Sequence, residues 1–128
     1  MEQQECLAKG IIFLAHLMSL ADGVRDDTEI RALKRIRDYE EIPVEKHQSF
    51  QQQMYDLTNE EIYNEGVSAL RDCDKAHQLR AFAWLYKIVE VDGNVDVKEA
   101  RFMLQALNSL GLDLNEVIDE SANIPDLV

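Results

Sequence analysis

The sequence predicts an all-α protein, a single compact bundle of six or seven helices. Apolar residues recur at helical spacing along nearly the whole chain, and strand-like alternation bounded by turn residues is absent. An internal repeat is the second observation, because the segment VDGNVDVKEARF at 91–102 resembles ADGVRDDTEIRA at 21–32. The 128 residues suffice for one domain, 1–128, that buries a core without a metal or a disulfide.

The first helix is predicted to run from about Gln4 to Ala21. It is apolar on almost every face, which indicates a central position in the bundle. Gly23 ends it, and a second helix opens near Asp27. That second helix has one apolar stripe and is expected to lie on the surface of the first. The stripe consists of Ile30, Leu33 and Ile36.

Two further helices are predicted in a segment at 43–72 that is not part of the repeat. Pro43 suits the first turn of the third helix. Thr58, with Glu61 three residues later, has the spacing of a capping box at the start of the fourth.

The second half of the chain repeats the pattern of the first. Asp74 is expected to cap a fifth helix that is apolar enough to be the second central one, and Gly93 ends it before a sixth. Asp113 and Glu116 predict a short last helix, and the tail from Ser121 is expected to be frayed. The apolar faces of the first and fifth helices are expected to form the core rather than an exposed groove.

With Asp22 aligned on Asp92, an offset of 70, the two repeat halves, about 4–40 and 74–111, share five identical positions. These are Asp22/Asp92, Gly23/Gly93, Asp26/Asp96, Glu29/Glu99 and Arg31/Arg101. Two copies of one helical hairpin predict pseudo-twofold packing around the central helices.

The repeated acids have a purely structural interpretation. Asp26 and Asp96 stand where a helix N-cap is needed, and Glu29 and Glu99 can bond back from the third helical position. Gly23 and Gly93, by the same interpretation, let the chain turn sharply.

Asp22 and Asp92 admit two interpretations. Each is the last residue of a predicted helix, where the helix dipole disfavours an anion. Either groups of the chain itself compensate the carboxylate, which the N–H groups that open the next helix or the side chains of Arg31 and Arg101 could do, or a hard cation such as Ca²⁺, Mg²⁺ or Mn²⁺ compensates it. In the second case Asp22, Glu29, Asp92 and Glu99 would form one cluster, with Asp26 and Asp96 as additional acids.

An EF-hand is excluded as the form of such a site. In the second copy Val97 takes the sixth loop position, which requires Gly, and Met103 takes the twelfth, which requires Glu. The first copy has Val24 at the third position and Leu33 at the twelfth. Neither loop alone can therefore wrap a calcium ion.

Charge and composition narrow the class of function. Lys and Arg total 13 against 25 Asp and Glu, a net charge of −12, so nucleic acids and anionic membrane surfaces should be repelled. The apolar run at 10–21 is too short to span a bilayer and follows acids, so neither export nor membrane insertion is expected. Cys6 and Cys73 are far apart in the sequence and form no CxxC motif, so they are expected to be reduced, partly buried thiols of a cytoplasmic protein rather than a disulfide or metal ligands.

A hydrophobic helix ending in A-D-G, with a Glu seven residues after the Asp and a second D-G…E copy, resembles the TerB-like tellurite-resistance family. The same module occurs at the N-terminus of some membrane-anchored co-chaperones. This chain reads VDG in the second copy and has no His-Pro-Asp motif of a J domain. The resemblance implies a helical bundle without established catalytic activity, acidic clusters associated with metal, and a role in stress-associated complexes.

The sequence therefore predicts a binding or scaffold module rather than an enzyme. His16 lies in an apolar helix, His47 and His77 lie in polar helix starts, and no nucleophile stands at a recognisable spacing from them. The alternative is a carboxylate-dependent, metal-assisted hydrolase. Protein partners are expected, most readily at the segment 47–66, which contains Tyr55 and Tyr63. The alternative is that this segment is an ordinary solvated helix pair. Self-association is left open.

Overall fold

The computed structural model describes residues 2–21, 27–90 and 97–127, without the side chains of Ala21 and residues 27–29. These parts contain seven α-helices and no strand. The helices are α1 Gln3–Ala21, α2 Asp27–Tyr39, α3 Val44–Tyr55, α4 Asn59–Arg71, α5 Lys75–Glu90, α6 Val97–Ser109 and α7 Leu114–Ser121. The predicted all-α class is confirmed.

Helix α1 is central, as its apolar sequence predicts. It contributes to two separate clusters of buried side chains, one on each side of the helix. Leu7, Ile11 and Leu14 belong to the larger cluster, which α5 dominates, whereas Ile12 and Phe13 belong to the smaller one with α3. A helix that packs on both sides needs apolar residues on nearly every face, which is the pattern that the sequence shows.

Two glycines allow α1 and α4 to approach closely. A Cβ atom at Gly10 would overlap the side chain of Leu70, and one at Gly66 would lie 3.1 Å from both Leu14 Cδ2 and Phe13 Cβ. The absence of a side chain at these two positions therefore sets the distance between the helices.

Helix α5 is the second central helix, packed against α1, α6 and α7. Phe82, Trp84 and Leu85 are completely buried, so the apolar face of α5 forms core rather than an exposed groove. The same conclusion holds for most of α1, although Leu20 in its last turn remains about half exposed.

Several predicted helix starts are confirmed by hydrogen bonds. The backbone N–H of Glu61 donates to Thr58 Oγ1 (3.1 Å), and that of Thr58 donates to Glu61 Oε1 (3.0 Å), which is a complete capping box. The N–H of His77 donates to Asp74 Oδ1 (2.9 Å) at the start of α5. Asp113 caps α7, and Pro43 occupies the N-cap of α3 rather than its first turn.

Helix α2 differs from the prediction. Its closest contacts with another helix are with α5, where the Tyr39 ring meets the Trp84 ring edge-on, and it packs less closely against α1. Only the second half of its apolar stripe is buried: Leu33 and Ile36 join the core, but Ile30 is 49% exposed. Helical periodicity identifies which residues share a face, but it does not show how far the packing partner extends.

The end of the chain also differs. The tail from Ser121, expected to be frayed, leaves the helix at Ala122 but packs Ile124 and Leu127 into the larger core cluster. Lys87 Nζ holds this segment through Asp126 Oδ1 at 2.6 Å. Two isolated apolar residues give no periodic signal, so the sequence did not reveal this packing.

The expectation of two separate reduced thiols is wrong. Cys6 in α1 and Cys73 between α4 and α5 form a disulfide, with Cα atoms 6.0 Å apart and both residues buried. The sequence interpretation rested on their wide separation along the chain, but the close packing of α1 and α4 brings the two positions together.

Candidate functional site: the acidic repeats and their surroundings

The six acids that the repeat singles out are only partly within the described structure. Asp22, Asp26, Asp92 and Asp96 lie outside the described residues, and so does the side chain of Glu29, whose backbone belongs to the first turn of α2. Glu99 is the sixth, and it lies in the first turn of α6. Whether the two D-G turns share one pseudo-twofold backbone conformation thus stays a prediction.

Glu99 is buried, with 4% of its surface exposed. The residue is not isolated, since it takes part in an interaction within the protein. The position near the N-terminus of α6 adds a favourable helix dipole. A carboxylate rarely leaves water without such compensation.

The helices that flank the two acidic turns meet each other. Leu17 and Leu20, in the last turns of α1, line a cavity of about 370 Å³ together with Phe102 and Gln105 of α6. The first turn follows α1 directly and the second precedes α6 directly. The end of α1 therefore lies beside the middle of α6.

Within 2–21, 27–90 and 97–127, no three His, Cys, Asp or Glu side chains are grouped so that they could hold a metal ion. Asp56 and Asp72 provide a comparison, because both cap the C-terminal end of a helix and both are exposed. An Asp at a helix end therefore does not in itself require a cation. The case for a cation depends on the two repeated turns acting together.

Among the described carboxylates, Glu40 has the most extensive hydrogen bonding, and the sequence did not indicate this. Its Oε2 accepts hydrogen bonds from Arg80 Nε (2.6 Å) and Trp84 Nε1 (2.7 Å), and its Oε1 accepts one from Arg80 Nη2 (2.6 Å). Gln4 Nε2 donates to the Glu40 backbone carbonyl at 2.7 Å. The Glu40 side chain is 1% exposed, so one buried acid joins α1, the end of α2 and α5.

This cluster connects positions 4, 40, 80 and 84, which no local spacing relates. One signal was available: Trp84 lies in an apolar helix, and a buried indole N–H usually finds an acceptor. The signal predicts that a partner exists, but it does not identify Glu40.

The three histidines lie in the helices that the sequence predicts, but the burial of His47 was not expected. His16 is only partly buried, and His47, expected in a polar helix start, is 8% exposed. Both line a cavity of about 420 Å³ between α1, α2 and α3, and both residues take part in interactions within the protein. His77 Nδ1 lies within hydrogen-bonding distance of Asp74 Oδ1, at 2.7 Å.

The resolved pKa shifts belong to surface pairs and one tyrosine. The Thr58 backbone N–H lowers the pKa of Glu61, the His77 backbone N–H lowers that of Asp74, and a hydrogen bond from Lys87 lowers that of Asp126. Burial raises the pKa of Tyr86, and the neighbouring Glu90 adds to the effect. Each of these groups has a structural partner that explains its shift.

The two tyrosines of the segment 47–66, which is expected to contact partners, differ in their environment. Tyr55 is 91% exposed. Tyr63, in contrast, packs edge-on against Phe102, and its hydroxyl lies 2.9 Å from Ser109 Oγ. Tyr55 thus remains a surface feature, whereas Tyr63 serves the contact between α4 and α6.

These features define a class of protein. It is an all-α bundle whose two central helices each lead, in sequence, into an acidic D-G turn. The chain belongs to the family of tellurite resistance protein TerB, which matches residues 8–121. The match runs from α1 to the end of α7. The resemblance carried by the repeated turns is thereby confirmed, while no curated protein and no solved structure matches the chain.

None of the described helices combines the length and the apolar character that a membrane-crossing helix requires.

Proposed function

We propose that the protein is a non-catalytic binding module of the TerB family whose two D-G-x-x-D-x-x-E turns together bind a divalent cation. The acids concerned are Asp22, Glu29, Asp92 and Glu99, with Asp26 and Asp96 beside them. Oxygen ligands of this kind suit Ca²⁺, Mg²⁺ or Mn²⁺.

The observation that carries the proposal is the meeting of the flanking helices. Leu20, next to the end of α1, and Phe102 of α6 line one cavity, and this contact supports the proposal that the two turns lie close enough to share an ion. Carboxylates gathered there would repel one another, and a cation relieves that repulsion. Two turns at opposite ends of the bundle could not share an ion.

A binding role also agrees with how the protein uses its buried acid. Both oxygens of Glu40 accept hydrogen bonds from Arg80 and Trp84, an arrangement that fixes helices in place. A general base needs an oxygen that can reach a substrate proton. Glu40 is therefore assigned a structural role, and the proposal includes no catalytic residue.

The biological setting follows from the family and the charge. Membership of the TerB family supports a link to tellurite resistance, and we include a more general stress response in the proposal. The net charge of −12 favours partner proteins with basic surfaces and disfavours nucleic acid. The cytoplasmic location stays a prediction, and the disulfide weighs against it because such bonds are typical of oxidising compartments.

Calorimetric titration with Ca²⁺, Mg²⁺ and Mn²⁺ tests the cation directly. We expect weak binding by the wild-type protein and none by an Asp22→Asn/Asp92→Asn double variant. At a free cation concentration ten times Kd, the folded state gains about 1.4 kcal/mol. That corresponds to a rise in Tm of about 4–6 °C for a domain of this size.

The matched control is the double variant Asp56→Asn/Asp72→Asn. It removes the same charge from two exposed helix-end aspartates outside the repeat. It should retain the heat of binding and the rise in Tm. Equal losses in the two double variants would show that the cations respond to net charge alone, and the shared site would be rejected.

A further inference from the structure

A groove whose charged side chains are positive, opposite to the net charge of the protein, lies between α1, α2 and α3. It consists of two adjoining cavities, of about 420 Å³ and about 240 Å³, that share Leu33, His47 and Gln51 in their walls. The larger one has the volume of a small-molecule pocket, which is roughly 300–1,000 Å³. We call these two cavities together the α1–α3 groove.

The charge of the α1–α3 groove is unusual for this chain. Asp and Glu outnumber Lys and Arg by 25 to 13. Among the described residues that line the groove, however, no carboxylate is present, and the charged side chains are Lys34 and Arg37. The described lining of the groove is therefore positively charged, although the protein as a whole is acidic.

Both cations are available to a ligand. Lys34 is exposed and makes no ion pair with any side chain that the structure describes. Arg37 Nε lies 3.8 Å from Asp38 Oδ1, and that aspartate is 67% exposed. Such a long, solvated pair holds the guanidinium weakly and leaves it free to bind another anion.

The apolar part of the groove is also unusually open. Ile30 and Val44 are 49% and 47% exposed beside the two cations, and Tyr55 is 91% exposed at the larger cavity. Ile12, Leu33 and Met54 form the buried wall behind them. Apolar side chains concentrated around a cavity are typical of a ligand-binding groove.

We infer that the α1–α3 groove binds a single-chain organic carboxylate of medium length. The alkyl chain lies in the larger cavity against Ile12, Leu33 and Met54. The carboxylate lies at Lys34 and Arg37, where charge-assisted hydrogen bonds hold it. A chain of about ten carbons suits the larger cavity, since pockets of this volume enclose most of a small ligand.

Decanoate is the probe, at concentrations below micelle formation, and methyl NMR of Leu33 and Met54 is the readout. We expect saturable shifts of these methyl signals. Decyltrimethylammonium, which keeps the chain and reverses the charge of the head, should leave them unchanged. The net negative charge of the protein would by itself favour the cationic amphiphile, so this outcome would be specific to the groove.

Lys34→Gln should weaken decanoate binding about three- to tenfold, the size expected for one charge-assisted contact. The matched control is Arg35→Gln, which removes one charge from the next residue of α2, outside both cavities. Both positions are exposed, so both variants should fold. The Tm of each variant confirms this before titration.

Three outcomes would overturn the inference. The first is equal shifts with the two amphiphiles, which would mean that any apolar chain enters. The second is equal weakening by Lys34→Gln and Arg35→Gln, which would mean non-specific attraction. The third is no shift with decanoate but shifts of the same methyls with an acidic amphipathic peptide, which would assign the groove to a protein partner.

The inference is independent of the cation proposal. The Asp22→Asn/Asp92→Asn variant should bind decanoate as the wild-type protein does, and Lys34→Gln should retain cation binding. Failure of one proposal thus leaves the other testable with the same variants.

Discussion

Glu40 connects three parts of the chain through one carboxylate that water barely reaches. Its bonds to Arg80 and Trp84 tie the end of α2 to α5, and the Gln4 bond to its carbonyl adds α1. The contact matters most for α2, because its first turn follows an acidic turn and Ile30 is exposed. The position of α2 along the groove therefore depends strongly on its C-terminal end.

Glu40→Gln should lower the free energy of unfolding by about 2–3 kcal/mol. An amide cannot accept three hydrogen bonds from Arg80 and Trp84, and the guanidinium loses its counter-charge. Breaking a fully buried pair costs ~3–5 kcal/mol. The smaller value applies here because the Arg80 side chain is 36% exposed, so water can solvate it.

Glu41→Gln is the control for this change, measured by urea unfolding. The two glutamates are adjacent, but Glu41 is exposed and makes no ion pair within the described residues. Its φ of 56° strains Glu and Gln alike, so the backbone contribution cancels. Similar midpoints for the two variants would show that the Glu40 cluster does not stabilise the fold.

At the scale of single helices, local chemistry was readable from the sequence. Thr58 and Glu61 predict the start of α4, and Asp74 and Asp113 predict the starts of α5 and α7. These starts are predictable because a helix start needs side-chain acceptors that are close in sequence. How far α2 packs was not readable. Its stripe identifies one face, whereas the exposure of Ile30 depends on elements distant in sequence.

Thr58→Ala should lower the free energy of unfolding by about 1 kcal/mol, since it removes the acceptor for the Glu61 N–H. Ser68→Ala, at an exposed interior position of the same helix, is the control. It should leave stability unchanged or raise it slightly, because Ala favours helix interiors. An unchanged midpoint for Thr58→Ala would show that the cap is not formed.

Acid titration tests the other half of the same capping box. The Thr58 N–H bond lowers the pKa of Glu61 in the folded protein, so its contribution to stability is complete above the ordinary pKa of Glu. That contribution is lost as the pH falls through the lowered pKa. The stability difference between wild type and Glu61→Gln should therefore vanish in acid, and a constant difference would contradict the assignment.

For the whole molecule, the sequence predicted the class of fold, the central helices and the family. It did so because hydrophobic periodicity and the repeated turns are properties of short segments. The Glu40 cluster, the α1–α3 groove and the disulfide join residues far apart in the chain, so no short segment contains them. Of the candidate cation site, the sequence supplied the acids, and the contact between α1 and α6 added a reason to consider them together.

The Cys6–Cys73 bond should stabilise the whole bundle. It closes a loop with a sequence separation of 67, which contains α2, α3, α4 and most of α1. A loop of this length restricts the unfolded chain enough to contribute about 2–4 kcal/mol. Reduced wild-type protein should therefore unfold at lower urea than oxidised protein, whereas a Cys6→Ala/Cys73→Ala variant should not respond to reductant. Alkylation in denaturant gives the check: if protein prepared without reductant takes up two alkyl groups, the thiols are free and the bond does not hold the fold together.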